Sequence, residues 1–203
     1  MILIDNLNFL TERFPLLWQA LKPIENELPQ RVRVTSAKNG TPTLMVEEEG
    51  SALYLHSSYN PEAEAERFVA QFAKVEEYHH VFFFGVGLGY HIEAFTKKYP
   101  QMEFTIYEPT PEILYTYLAT RLITNLPVKN LKNLYVEISP ANRPLLLKDF
   151  TDFTDGNLLF VALPSYERIF QELTTEFIHS FQNIVASKRI NLQATTVYQR
   201  KWH

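Results

Sequence analysis

The sequence has no cysteine, which excludes disulfides and thiolate metal sites and points to a reducing, cytoplasmic compartment. It also lacks any apolar run near the roughly 18 residues that span a bilayer, so no membrane partner is expected. The first ten residues carry neither a basic segment nor an apolar core, so no signal peptide is read there. Basic residues are not in excess: 19 Lys and Arg against 23 Asp and Glu give a net charge of −4. That balance argues against a nucleic-acid partner, which needs a basic face. There is no Gly-x-Ser-x-Gly elbow, and no glycine loop ends in Lys-Ser/Thr. What is present is a chain of 203 residues, 46% hydrophobic and 21% charged. It is long enough for one large domain, or one domain with a small subdomain.

The organisation follows from periodicity. Leu10, Phe14, Leu17, Trp18 and Leu21 recur at helical spacing, with Asp5 or Asn6 placed to cap and Pro15 placed to kink or split the helix. Residues 31–35, 43–46 and 52–55 alternate or are apolar between turns at Asn39-Gly40 and Glu49-Gly50, which reads as a three-stranded antiparallel meander. Asn60-Pro61 opens a helix expected to reach about Glu77. From Val81 onward, short apolar strands alternate with helical segments, the signature of βαβ units around a parallel sheet buried on both faces. The fold class is α/β, a Rossmann-like (methyltransferase-like), mostly parallel sheet preceded by a helix and meander. The expected divisions are 1–56 for the helix and meander subdomain, 57–165 for the Rossmann-like domain, and 166–203 for a long C-terminal helix.

The richest stretch is Val81-Phe82-Phe83-Phe84-Gly85-Val86-Gly87-Leu88-Gly89, followed nineteen residues later by Glu108 at the end of the next apolar run. Glycines at a strand-to-helix turn let backbone approach a ligand, and a carboxylate at the end of the second strand can accept from ribose hydroxyls. The same glycines also serve plain strand–helix packing. The spacing Gly85-x-Gly87-x-Gly89 disfavours a nicotinamide dinucleotide. It is closer to the turn of adenosylmethionine-dependent methyltransferases, although that family's acidic residue before the first glycine is here Phe83. Leu163-Pro164-Ser165-Tyr166 resembles a degenerate amino-methyltransferase motif, in which Tyr166 would face the acceptor. The preferred reading is a strand end with a proline turn and a helix cap by Ser165. The histidines make no evident metal set: His79 and His80 are adjacent and point to opposite faces of a strand. The candidate ligand-binding residues are Gly85, Gly87, Gly89, His91 and Glu108, with no catalytic residue and no metal site assigned.

Three further runs carry a family resemblance. Leu55-His56-Ser57-Ser58-Tyr59-Asn60-Pro61 with Glu64-Ala65-Glu66-Arg67-Phe68, then Phe84-Gly85-Val86-Gly87-Leu88-Gly89-Tyr90-His91, then Ile106-Tyr107-Glu108-Pro109 with Glu112-Ile113 together resemble the motility accessory factor (Maf) glycosyltransferases. The resemblance implies a bacterial cytoplasmic protein that takes part in attaching nonulosonic, sialic-acid-like sugars to flagellin from a CMP-activated donor. It implies an N-terminal fragment whose transfer centre lies beyond the matched region, hence an accessory or ligand- and acceptor-binding role. A nucleotide or CMP-sugar is the ligand this reading suggests, and flagellin the partner. The alternative is an S-adenosylmethionine-dependent methyltransferase-like domain acting on a small molecule. Nothing in the sequence selects an oligomeric state.

Overall fold

Residue periodicity resolves into eight helices and eight strands in a computed structural model that describes residues 1–188 and 190–194. Pro15 divides the first helical pattern into α1 (Ile2–Arg13) and α2 (Pro15–Leu21), since proline has no N–H for a continuing helix but fits its first turn. The helix begins before Asn6, so neither Asp5 nor Asn6 caps it. Asn6 is instead buried. Its amide donates to Leu118 O and Arg121 O at 2.7 Å each, and its Oδ1 accepts from Ile123 N–H at 2.9 Å. The side chain therefore satisfies backbone groups that a distant helix end leaves open.

The meander forms as expected: β1 (Val32–Ser36), β2 (Pro42–Glu48) and β3 (Ser51–Tyr54) pair antiparallel in that order. Asn60 caps α3 (Pro61–Val69), its Oδ1 accepting from Ala63 N–H at 2.9 Å. α3 is shorter than the expected run to Glu77. The chain leaves it, passes through Lys74 at φ 55° and makes a 3-10 turn at Val75–Glu77. Phe72 meets Phe68 and Phe95, and Val75 is buried, so the apolar pattern past Val69 is met by packing without helix.

The α/β part comprises β4 (His80–Phe84), α4 (Tyr90–Lys98), β5 (Glu103–Glu108), α5 (Pro111–Thr120), β6 (Leu131–Val136), α6 (Arg143–Phe153) and β7 (Gly156–Ala162). It continues through α7 (Pro164–Ile169), α8 (Gln171–Ala186) and β8 (Ile190–Ala194). All five strands are parallel, in the order β6-β5-β4-β7-β8. The single helix expected over 166–203 is thus two helices followed by a strand. The segment Ile190–Ala194 alternates apolar and polar residues and pairs with β7 from Gly156↔Ile190 to Phe160↔Ala194, covering an otherwise open ladder. The remainder of that expected helix, 195–203, lies outside the described residues.

The central strand explains its own composition. Phe82 and Phe84 pack on Phe177 of α8, and Phe82 also meets Phe150 of α6 and Phe181. Phe83 points the other way, to His91 and Phe95 of α4. A strand covered on both faces must be apolar at every position. The meander is fastened to this body by Tyr90 O–H donating to Pro42 O at 2.6 Å and by Arg31, which pairs with Glu112 and Glu48.

Candidate functional site

The turn after β4 lies where the chain order of the sheet reverses, between β4 and β7, the place where open α/β sheets receive ligands. Gly85, Gly87 and Gly89 have φ of +92°, +51° and +79°, a region a side-chain-bearing residue avoids. All five sequence candidates come together here and all are buried. Their hydrogen bonds are internal. Val86 N–H donates to Glu108 Oε2 at 2.7 Å, and Thr110 N–H to Oε1 at 3.3 Å. Tyr166 O–H donates to Glu108 Oε2 at 2.7 Å, and its oxygen accepts from Gly87 N–H at 3.0 Å. Leu88 N–H donates to His56 Nε2 at 2.8 Å. Successive turn donors that could hold a ligand are each taken by a side chain.

The space above the turn is filled in the same way. A Cβ placed on Gly85 would fall 2.5 Å from the Tyr166 ring, and one on Gly87 2.4 Å from His56 Nε2. Both distances are below any real contact, so the glycines admit the protein's own rings. Arg121 completes the closure. It donates to Leu88 O at 2.9 Å, pairs with Glu93 at 2.8 Å and lies 3.9 Å above the Tyr90 ring.

The electrostatics follow from burial. Glu108 is fully inaccessible, and desolvation pushes its carboxyl up to about 8, against the Val86 N–H, the Tyr166 hydroxyl and the Thr110 N–H, which favour the charged form. Burial lowers His56 well below its ordinary value, with His91 and Arg121 adding to the effect. His91 falls to about 4 for the same reason, and its Nε2 bonds Gly85 O at 3.1 Å. It therefore braces the turn from below and does not face a ligand. Burial and Glu108 raise Tyr166 above the ordinary phenol value.

These positions bear on the ligand expectations. Glu108 already holds a backbone N–H and a phenol where a ribose would have to bind. Tyr166, the acceptor-facing residue of the methyltransferase reading, points into the turn. The residues do not fit a nucleotide or S-adenosylmethionine in this arrangement, because either would have to displace His56 and Tyr166 to reach the backbone. Ser165 does not cap α7, whose N-cap is Leu163 without a side-chain hydrogen bond. His80 is buried against Thr105 Oγ1 at 2.8 Å, and no group of three His, Cys, Asp or Glu among the described residues is placed to hold a metal.

Beside the closed turn runs a groove of about 480 Å³, walled by the segment after β3, by α3 and by the residues following β7. His56 and Ser57 line it, as do Arg67 and Arg168. The sequence pattern names His56, Tyr166 and Arg67 without giving the first two their closing role or the arginine a place in a groove, and nothing in it singles out Arg168. A polar residue flanked by Leu55 and two serines at a junction was the available signal.

Comparison with known proteins accords with this architecture. Residues 63–121, from α3 to the end of α5, match the family model described as the glycosyltransferase Maf N-terminal domain. A Treponema pallidum (strain Nichols) protein, itself uncharacterized, is 31% identical over 200 residues, covering 95% of this chain and 63% of that protein. The structure of MAf glycosyltransferase from Magnetospirillum magneticum AMB-1 superposes with a TM-score of 0.55 at 17% identity, over 90% of this chain and 35% of that one. That likeness establishes the shared fold. The chain thus spans less than two thirds of either relative, and its residues 63–121 are similar to the Maf glycosyltransferase N-terminal domain.

Proposed function

We propose that this chain acts as the N-terminal Rossmann-like domain of a Maf-type protein in cytoplasmic flagellin glycosylation with nonulosonic sugars. Its role there is accessory: it holds the acceptor or positions the transferring part and does not itself perform the transfer. The observation that supports an accessory role is the closed turn. The backbone donors that would grip a nucleotide are bonded to Glu108, Tyr166 and His56. Recognition then falls to surfaces outside the turn. Among the described residues no helix is long and apolar enough to cross a membrane, which suits a partner met in solution. The test is the intact mass of flagellin from cells with the gene for this chain deleted. Loss of the nonulosonic mass increments, restored by the wild-type gene, is the expected result. Unchanged flagellin mass would refute the reading.

A further inference from the structure

The groove beside the turn brings several hydrogen-bond donors together. His56 is 3% exposed, and its Nε2 accepts from Leu88 N–H at 2.8 Å. In a neutral imidazole that fixes the proton on Nδ1. The Nδ1–H has no partner among the described residues, although the ring lines the groove. Ser57 Oγ accepts from Tyr59 N–H at 3.1 Å and Asn60 N–H at 3.2 Å, so its own hydroxyl proton remains to be given. Arg67 forms no ion pair among the described residues, and Arg168 commits one N–H to Tyr54 O at 3.0 Å. The one carboxylate in the wall, Glu64, accepts from Ser57 N–H at 2.9 Å and lies in the field of both arginines. Two guanidiniums and one carboxylate leave the groove one net positive charge.

We propose that this groove is a binding site for a small-molecule oxyanion, a phosphate ester or a carboxylic acid, held by Arg67, Arg168, His56 Nδ1–H and Ser57 Oγ–H. Three features support it. Guanidinium forks match planar or tetrahedral oxyanions. The His56 ring lines the groove with Nε2 already committed to Leu88 N–H, so its Nδ1–H is left to donate to an anion there. The groove also lies against the residues that follow the carboxyl end of β7, on the side of the sheet where α/β ligands bind. The proposal is independent of the flagellin reading: a chain with no part in glycosylation would present the same donors.

The test is titration of the chain with inorganic phosphate, ribose 5-phosphate and glucuronate at constant ionic strength, followed by heteronuclear NMR and calorimetry. Saturable shifts are expected at His56, Ser57 and the Arg67 and Arg168 side chains. Arg67→Gln and Arg168→Gln, both on exposed positions that leave the turn intact, should each weaken binding about tenfold or more, as for loss of a charge-assisted hydrogen bond. Binding of the phosphates but not glucuronate assigns a phosphate ester; the reverse assigns a carboxylic acid. No saturation with any probe up to about 20 mM, which is weaker than any specific site of this kind, overturns the proposal. So does binding that neither arginine substitution changes.

Discussion

Substituting Gly87 by alanine tests whether the turn is held by its own side chains. The new Cβ would lie 2.4 Å from His56 Nε2 and 2.9 Å from its Cε1, so the ring must move and Leu88 N–H loses its acceptor. The left-handed backbone at φ +51° adds about 1–2 kcal/mol for a residue with a Cβ. An unpaired buried N–H adds about 1–3 kcal/mol. Gly87→Ala should therefore destabilise by about 2–5 kcal/mol. His56→Ala already gives up the same hydrogen bond and removes the clashing ring, so in that background Gly87→Ala should carry only the backbone component. The coupling is then about 1–3 kcal/mol, read as urea midpoints at unchanged m-value for the two single variants and the double variant. Additivity of the two substitutions within about 0.5 kcal/mol would show that His56 and the turn are independent, and the account of closure would fail.

Stability should peak near pH 6.5. Glu108 holds its proton to about 8 in the folded chain against an ordinary 4.5, so its contribution is lost as pH rises; His80 and His91 stay neutral down to about 4 against 6.5, so theirs is lost as pH falls. Between pH 6.5 and 8 Glu108 contributes about 1.4 kcal/mol per unit, which predicts a decline of about 2 kcal/mol. Thermal melts of Glu108→Gln should lack that alkaline decline, and retention of it would refute the assignment. Arg143 is buried with Glu137, which it meets at 2.7 Å and which also accepts from Tyr107 O–H at 2.6 Å. Arg143→Met leaves that carboxylate buried without its cation and should cost about 3–5 kcal/mol in chemical denaturation; a loss under about 1 kcal/mol would show the carboxylate finds another partner.

Where the sequence read well, a local rule and the tertiary environment agreed. Pro15 can only kink or split a helical pattern that runs through it, and the unbroken apolar run Val81–Phe84 demands a strand covered on both faces. Where it failed, long-range contacts decided. Asn6 has the chemistry of a cap, and its true partners are more than a hundred residues away. Ile190–Ala194 follows a strongly helical stretch, and its strand exists because β7 offers an edge. The site divided along the same line. Three glycines and a carboxylate were legible as a cluster at the sheet edge. That His56 and Tyr166 arrive from separate segments to occupy the turn was not, because the spacing of glycines is the same whether a ring or a ligand fills the space.

The closed turn joins three stretches far apart in the chain: the exit from the meander through His56, the end of β5 through Glu108, and the start of α7 through Tyr166. None of these contacts can open alone without exposing a donor that another leaves unpaired. The amides of Val86, Gly87 and Leu88 should therefore exchange with solvent only when the whole domain unfolds, and not by local fraying. The meander, whose exit carries His56 into the turn, is thereby drawn into the same cooperative unit as the parallel sheet.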